Sequence, residues 1–189
     1  MSTRLTLSNV RLNFEHIFEP SSFDEGQAAK YSADLIIPKN HPDVPALKRA
    51  FYAEGHEMFP NDFDVNRHVW PKGYSCSLKD ADVDTDNSGV VLSEKYPDYK
   101  GCYILKANST RRPQVVNRNA EPITADHGVI YPGCYVYVKV GIRGFTFGKM
   151  TKGVKAYLNG VQFYRDGERL GGAADMFDAL DGEDDDFFN

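Results

Sequence analysis

Apolar and polar positions alternate along most of the chain, the period of strands with one buried face. Leu5 and Leu7 share one phase; Val10, Leu12 and Phe14 share the other, with Ser8-Asn9 between them. That switch predicts one long strand carrying a bulge or bend. Residues 20–29 (PSSFDEGQAA) read as a loop, after which Tyr31, Ala33, Leu35 and Ile37 alternate until Pro38 ends the strand. Over residues 43–58 the period lengthens. Val44, Leu47, Phe51 and Met58 fall near helical spacing, with Asp43 as N-cap, Pro45 in the first turn, Gly55 weakening the last turn and Pro60 stopping it. Residues 60–73 look irregular, Tyr74–Leu78 a short strand, 80–100 polar and turn-rich, and Cys102–Ala107 a strand. Residues 109–132 contain Pro113, Pro122 and Pro132 and read as a long loop, with a brief apolar stretch at Gln114–Val116.

Residues 134–143 give the clearest strand. Cys134, Val136, Val138, Val140 and Ile142 form one face; Tyr135, Tyr137, Lys139, Gly141 and Arg143 form the other. Residues 144–153 (GFTFGKMTKG) read as a Gly-bounded loop. Val154, Ala156 and Leu158 alternate next, and Asn159-Gly160 shifts the phase to Val161 and Phe163. That dipeptide is either a type I′ hairpin or a bulge within one long strand. Some six or seven strands with a single helix suit a mainly β sandwich or small closed barrel.

Composition narrows the class. A length of 189 residues fits one domain with appendages. No run approaches the ~18 apolar residues of a membrane span, and the polar N-terminus has no signal-peptide pattern. The scattered Cys76, Cys102 and Cys134 predict buried free thiols in a reducing cytoplasm.

Charge changes the picture more. The total is −5, from 22 Lys+Arg against 27 Asp+Glu. Seven of those acids lie in residues 175–189 (DMFDALDGEDDDFFN), which hold no base. Without them the body has 20 acids against 22 bases, a net of +2. Residues 100–169 carry 12 bases and four acids, a net of +8. A basic half with an acidic tail points towards nucleic acid.

The candidate chemistry follows from that split. Tyr135, Tyr137, Lys139 and Arg143 on one strand face offer flat rings for bases and cations for phosphates, as sequence-tolerant single-strand binding requires; a plain solvated strand face is the alternative. Phe145 and Phe147 lie between glycines beside Lys149 and Lys152, with Lys155 just beyond, and either bind or fold back onto the core. Arg111 and Arg112 sit in the long loop, as phosphate contacts or as a solvated pair. Gly144 to Gly148 leaves three intervening residues, where a phosphate-binding P-loop needs four, and Met150 stands where that loop needs Ser or Thr. Asp84, Asp86, Ser88 and Gly89 match the start of a calcium loop, but Glu94 falls at position 11 instead of 12. Asp80–Asp86 also leaves open a metal-dependent nuclease. The histidines and cysteines have no zinc spacing, and no catalytic constellation is legible.

Several blocks resemble a family of phage single-stranded DNA-binding proteins: VRLNFEHIFEP, RRPQVVNRNAEPI, PGCYVYV and KGVKAYLNGVQFYRDGERLGG. The resemblance spans nearly the whole chain. It implies an OB-fold-like Greek-key barrel and a non-catalytic role coating single strands in phage DNA replication or recombination, in the cytoplasm of the infected host. The tail separately resembles those of bacterial and phage single-strand binding proteins, although Asn189 follows its Phe pair. That likeness implies that Asp184, Asp185, Asp186, Phe187 and Phe188 recruit phage or host replication proteins.

The expectation is therefore an OB-like domain over residues 1–172, with one helix and long loops, followed by a disordered acidic tail over 173–189. Its helix follows the second strand, where a simple OB barrel places it between the third and fourth. Single-stranded DNA is the expected ligand, with self-association on DNA and with no membrane, cofactor or metal. The tail screens the groove until DNA displaces it. A β-rich phage structural protein is the remaining rival.

Overall fold

The computed structural model describes residues 3–22, 26, 28–64, 69–148 and 151–171. The strands are β1 (Thr3–Ser21), β2 (Lys30–Pro38), β3 (Tyr74–Cys76), β4 (Leu78–Asp80), β5 (Cys102–Ser109), β6 (Gln114–Val116), β7 (Tyr135–Phe147) and β8 (Thr151–Arg165). Helix α1 (Val44–Met58) follows β2, and a single turn, α2 (Leu92–Lys95), lies between β4 and β5. None of the described helices is long and apolar enough to cross a membrane.

Antiparallel pairing runs β8-β7-β1-β2-β5, and β5 then pairs parallel to β8 through Ala107–Ala156 and Asn108–Tyr157. That last contact closes a five-stranded, OB-like Greek-key barrel. The alternating apolar residues fill it: Leu7, Val10 and Leu12 from β1, Val136 to Ile142 from β7, and Val154, Ala156 and Leu158 from β8. Helix α1 buries Val44, Leu47, Ala50 and Phe51 in the same core. Its buried Glu54 accepts hydrogen bonds from the Thr3 amide and hydroxyl at 2.6 and 2.7 Å. The helix lies between the second and third barrel strands, as the sequence order requires.

The β1 bulge falls at Ser8-Asn9, where the register against β7 shifts between Leu7 and Val10. It takes Asp43 away from the helix. The Ser8 amide and hydroxyl donate to Asp43 Oδ2 at 2.8 and 2.9 Å, so Asp43 makes no side-chain cap on α1. Asn159-Gly160 is a bulge within one continuous β8, since the β7–β8 register shifts between Lys139 and Val140. The expected loop over 144–153 is mostly strand: pairing continues from Gly144–Val154 to Phe147–Thr151. Gly148 makes the turn at positive φ, but the glycines that bound the segment mark close approach. Gly153 lies against the Ser75 backbone of β3, and Gly144 against Met58 of α1.

A second apolar cluster lies outside the barrel. Ile36 of β2 and Ile104 of β5 are covered by Ala81, Leu92 and Tyr99 from the β4–β5 connection and by Leu170. The end of the described chain is tied there. Leu170 N donates to Pro132 O at 3.0 Å, the Arg11 guanidinium to Glu168 O at 2.7 Å, and Tyr131 hydroxyl to Asp166 Oδ1 at 2.8 Å. The expected tail, with Asp184, Asp185, Asp186, Phe187 and Phe188, lies outside the described residues.

Candidate nucleic-acid interface

The acidic β4–β5 connection is built by its own carboxylates. Lys39 Nζ sits 2.7 Å from Asp80 Oδ1 and 2.8 Å from Asp82 Oδ2. Asp84 Oδ2 accepts the Asp80 amide at 2.6 Å. Asp86 collects Lys95 Nζ at 2.6 Å, the Ser88 hydroxyl and amide, and the Val90 amide. The Lys95 hydrogen bond holds the Asp86 carboxyl well below the usual carboxylate range. The segment that suggested a calcium loop or nuclease centre thus spends its carboxylates on shaping a connection. Among the described residues no group of His, Cys, Asp or Glu converges to hold a metal.

That connection raises an aromatic wall beside the barrel. Tyr99 is fully buried, Tyr96 lies tilted against it with centroids 5.0 Å apart, and Phe14 meets Tyr96 edge-on at 5.4 Å. The sequence alternation groups Phe14 with Val10 and Leu12, but the β1–β2 register shifts again between Asn13 and His16. Asn13 goes inward and Phe14 turns out, 47% exposed. Phe14 has φ +45°, a left-handed conformation that costs a bulky residue energy. Asn13 braces it: Oδ1 accepts the Phe14 amide at 2.9 Å, and Nδ2 donates to Tyr99 hydroxyl at 3.1 Å.

Between this wall and the barrel runs a trough. One end is a cavity of about 460 Å³ between Phe14, Tyr96 and the outer face of β2 and β5, lined by Lys30, Ser32, Asp34 and Asn108. The other, about 630 Å³, continues past Tyr96 to Lys79, Phe145 and Lys155. Both share Leu92, Tyr96, Lys106 and Asn108, so they form one concave surface crossing β2, β5 and β8. Its lysines come from five places in the chain: Lys30, Lys79, Lys95, Lys106 and Lys155. Of its two acids, Asp86 pairs with Lys95 and Asp34 lies 4.0 Å from Lys106 Nζ.

The residues singled out by sequence divide between this trough and its surroundings. Phe145 and Lys155 line it, with Lys155 Nζ 5.1 Å from the Phe145 ring and 4.8 Å from that of Tyr157. Arg143 is exposed and paired in register with Lys155. Phe147, 78% exposed, stands at the hairpin tip and does not fold back. Lys152 lies over the rings of Phe59 and Tyr74 at 5.7 and 5.9 Å; Lys149 lies outside the described residues. Arg111 and Arg112 are exposed just beyond β5. Tyr135, Tyr137 and Lys139 sit at the other end of β7. There Tyr135 lies under the Arg165 guanidinium at 3.6 Å, Tyr137 meets Tyr164 edge-on at 5.1 Å, and Lys139 is exposed beside Arg4 and Asn159. Sequence reasoning missed Phe14, Lys30, Lys79, Lys95, Tyr96 and Lys106. They are scattered over five separate stretches of the chain, and the barrel closure together with the β4–β5 connection gathers them. The thiols are poor nucleophiles here: burial pushes Cys134 up to about 11 and Cys76 up to about 12.

Comparison with known proteins gives the family and the fold. Residues 3–188 match the family model of the ssDNA-binding protein of Enterobacter phage Enc34. Protein p50 of Acyrthosiphon pisum secondary endosymbiont phage 1 is 34% identical over 184 residues, 94% of each chain. Among solved structures, the single-stranded DNA-binding protein of bacteriophage Enc34 in complex with ssDNA superposes with TM-score 0.69 at 25% identity, over 89% of each chain. Gp2.5, a single-stranded DNA-binding protein of bacteriophage T7, shares the fold with TM-score 0.53 at 16% identity, over 95% of this chain and 97% of its own.

Proposed function

The chain belongs to the Enterobacter phage Enc34 ssDNA-binding protein family, and from that membership we propose that its trough binds single-stranded DNA, largely without regard to sequence. It is a binding protein and not an enzyme, as the family is. Bases stack on Phe14, Tyr96 and Phe145; Lys30, Lys79, Lys106 and Lys155 follow the backbone. The path continues over the hairpin tip to Phe147, Arg143, Lys149 and Lys152, and at the other end to Arg111 and Arg112. Tyr135, Tyr137 and Lys139 take a strand long enough to run on down the ribbon. The observation that carries this reading is the continuous aromatic and basic trough across β2, β5 and the β7–β8 hairpin, the face on which OB barrels hold oligonucleotides.

The setting is replication or recombination of phage DNA in the cytoplasm of the infected cell, with self-association along the strand. Residues 1–172 form the binding domain, and 173–189 screen the trough in the absence of DNA. Once released, Asp184, Asp185, Asp186, Phe187 and Phe188 recruit replication proteins. Titration of labelled oligo(dT) against duplex of equal length, at two salt concentrations, tests the binding itself. Single strands bind far more tightly, and both affinities fall as salt rises. Equal affinity for duplex, or cleavage of the DNA in Mg²⁺ or Mn²⁺, overturns the reading.

A further inference from the structure

The Phe14 end of the trough is deeper than stacking requires, and its floor is polar. Its volume of about 460 Å³ falls within the range of small-ligand sites, roughly 300–1,000 Å³. Three observations define the occupant. Asp34 lies half-buried on the floor, with its carboxyl raised above the usual range by desolvation despite Lys106 4.0 Å away and a hydrogen bond from Tyr99. A carboxylate there repels phosphate, so the sugar-phosphate backbone stays outside, on Lys30 and Lys106. An N–H donor carried on a flat, apolar-faced group adds to the Tyr99 hydrogen bond on Asp34 without that repulsion. Secondly, Ser32 Oγ is buried on the same floor and has no hydrogen-bond partner among the described residues. An unpaired buried hydroxyl is rare and calls for an explanation; a turn of its rotamer into the cavity pairs it with an incoming polar edge. Thirdly, the Phe14 ring that walls the cavity is held in a left-handed backbone conformation, the kind of strain that accompanies ligand clamps.

We infer that this cavity is a nucleobase pocket that reads one base of the bound strand by its hydrogen-bonding edge, favouring bases with an exocyclic amino group over thymine. The pocket rests on the reading of the trough as a single-strand site and adds a base preference to it. A carboxylate accepts from the cytosine N4 amino group, and guanine offers it two adjacent donors. Lys106, Asn108 and Ser32 then face the neighbouring acceptors. Thymine has a single N–H set between two carbonyl oxygens, which brings an oxygen against the carboxylate.

The test compares an oligo(dT) with the same oligomer carrying one central dC, dA or dG, by fluorescence anisotropy on the full chain. The unaltered protein binds the substituted oligomers about five-fold more tightly or better, the low end of what one well-made base contact discriminates. Asp34→Asn loses that margin, and it does so by tightening the hold on oligo(dT), since the repulsion of thymine oxygen and phosphate goes with the charge. Ser32→Ala, which breaks no hydrogen bond in the free protein, narrows it. A thermal melt checks that Asp34→Asn folds; if it does not, the unaltered protein and Ser32→Ala decide the matter. Equal affinity for all four oligomers, a preference for thymine, or a margin that survives both substitutions overturns the pocket and leaves single-strand binding standing. Failure to bind any of these oligomers overturns the underlying function instead.

Discussion

Phe14 is exposed, strained and braced, three properties that seldom coincide in a residue that only packs. Its ring stands at the head of the trough because Asn13 takes the inward place and donates to Tyr99. Removing the ring in two ways separates its roles. Phe14→Ala and Phe14→Gly both lose a stacking surface worth roughly 1–3 kcal/mol, so single-strand affinity falls between about five-fold and a hundred-fold in each. Only glycine also relieves the positive φ, so Phe14→Gly is more stable than Phe14→Ala by about 1 kcal/mol in a urea melt. Equal stability of the two sinks the strain, and unchanged affinity sinks the stacking. A second residue-scale expectation concerns the backbone contacts. Lys79→Gln and Lys155→Gln each lower the slope of log affinity against log salt by about 0.7 if each neutralises one phosphate. An unchanged slope clears that lysine of phosphate contact.

At the scale of elements, the β7–β8 hairpin projects from the barrel and is held by two glycines in close contact with other elements. Gly153 faces the Ser75 backbone, which cannot yield, whereas a Cβ added at Gly144 meets Met58, whose Sδ at 2.7 Å can swing aside while its Cβ at 2.9 Å needs only a shift of a few tenths of an ångström. Gly153→Ala therefore destabilises by about 3 kcal/mol and Gly144→Ala by about 1, read from chemical denaturation. Equal losses contradict that distinction. The same glycines show where sequence is opaque. A glycine that permits a turn and one that permits contact look alike in the chain, so 144–153 reads as a loop when most of it is strand. Local alternation did reveal β1 with its bulge, β2, α1 and β7, because each keeps one period against one core. It did not reveal that Ile36 and Ile104 are buried on the outside of the barrel, since that depends on a connection folding back from residues 81–99. Phe14 was lost for a related reason: a second register shift inverted its phase.

For the whole molecule, the division of charge was legible and its gathering was not. The +8 of residues 100–169 is visible in the chain, but Lys30, Lys79 and Lys95 join Lys106 and Lys155 only through the β5–β8 closure and the β4–β5 connection. Deleting residues 175–189 removes seven acids, and on the screening proposal it tightens single-strand binding, most at low salt. An unchanged affinity ends that proposal. The tether of Leu170 has a consequence of its own. Leu170 packs in the cluster of Tyr99 and Leu92, against which Tyr96 rests, so the last described residues lie beside the trough wall. On the screening proposal, a competitor attached there acts within one molecule, at an effective concentration set by the tether and not by the protein concentration. Dilution does not weaken it. The ratio of truncated to intact affinity is then the same at nanomolar as at micromolar protein, and added salt or a partner that captures the tail is what lowers the barrier to DNA.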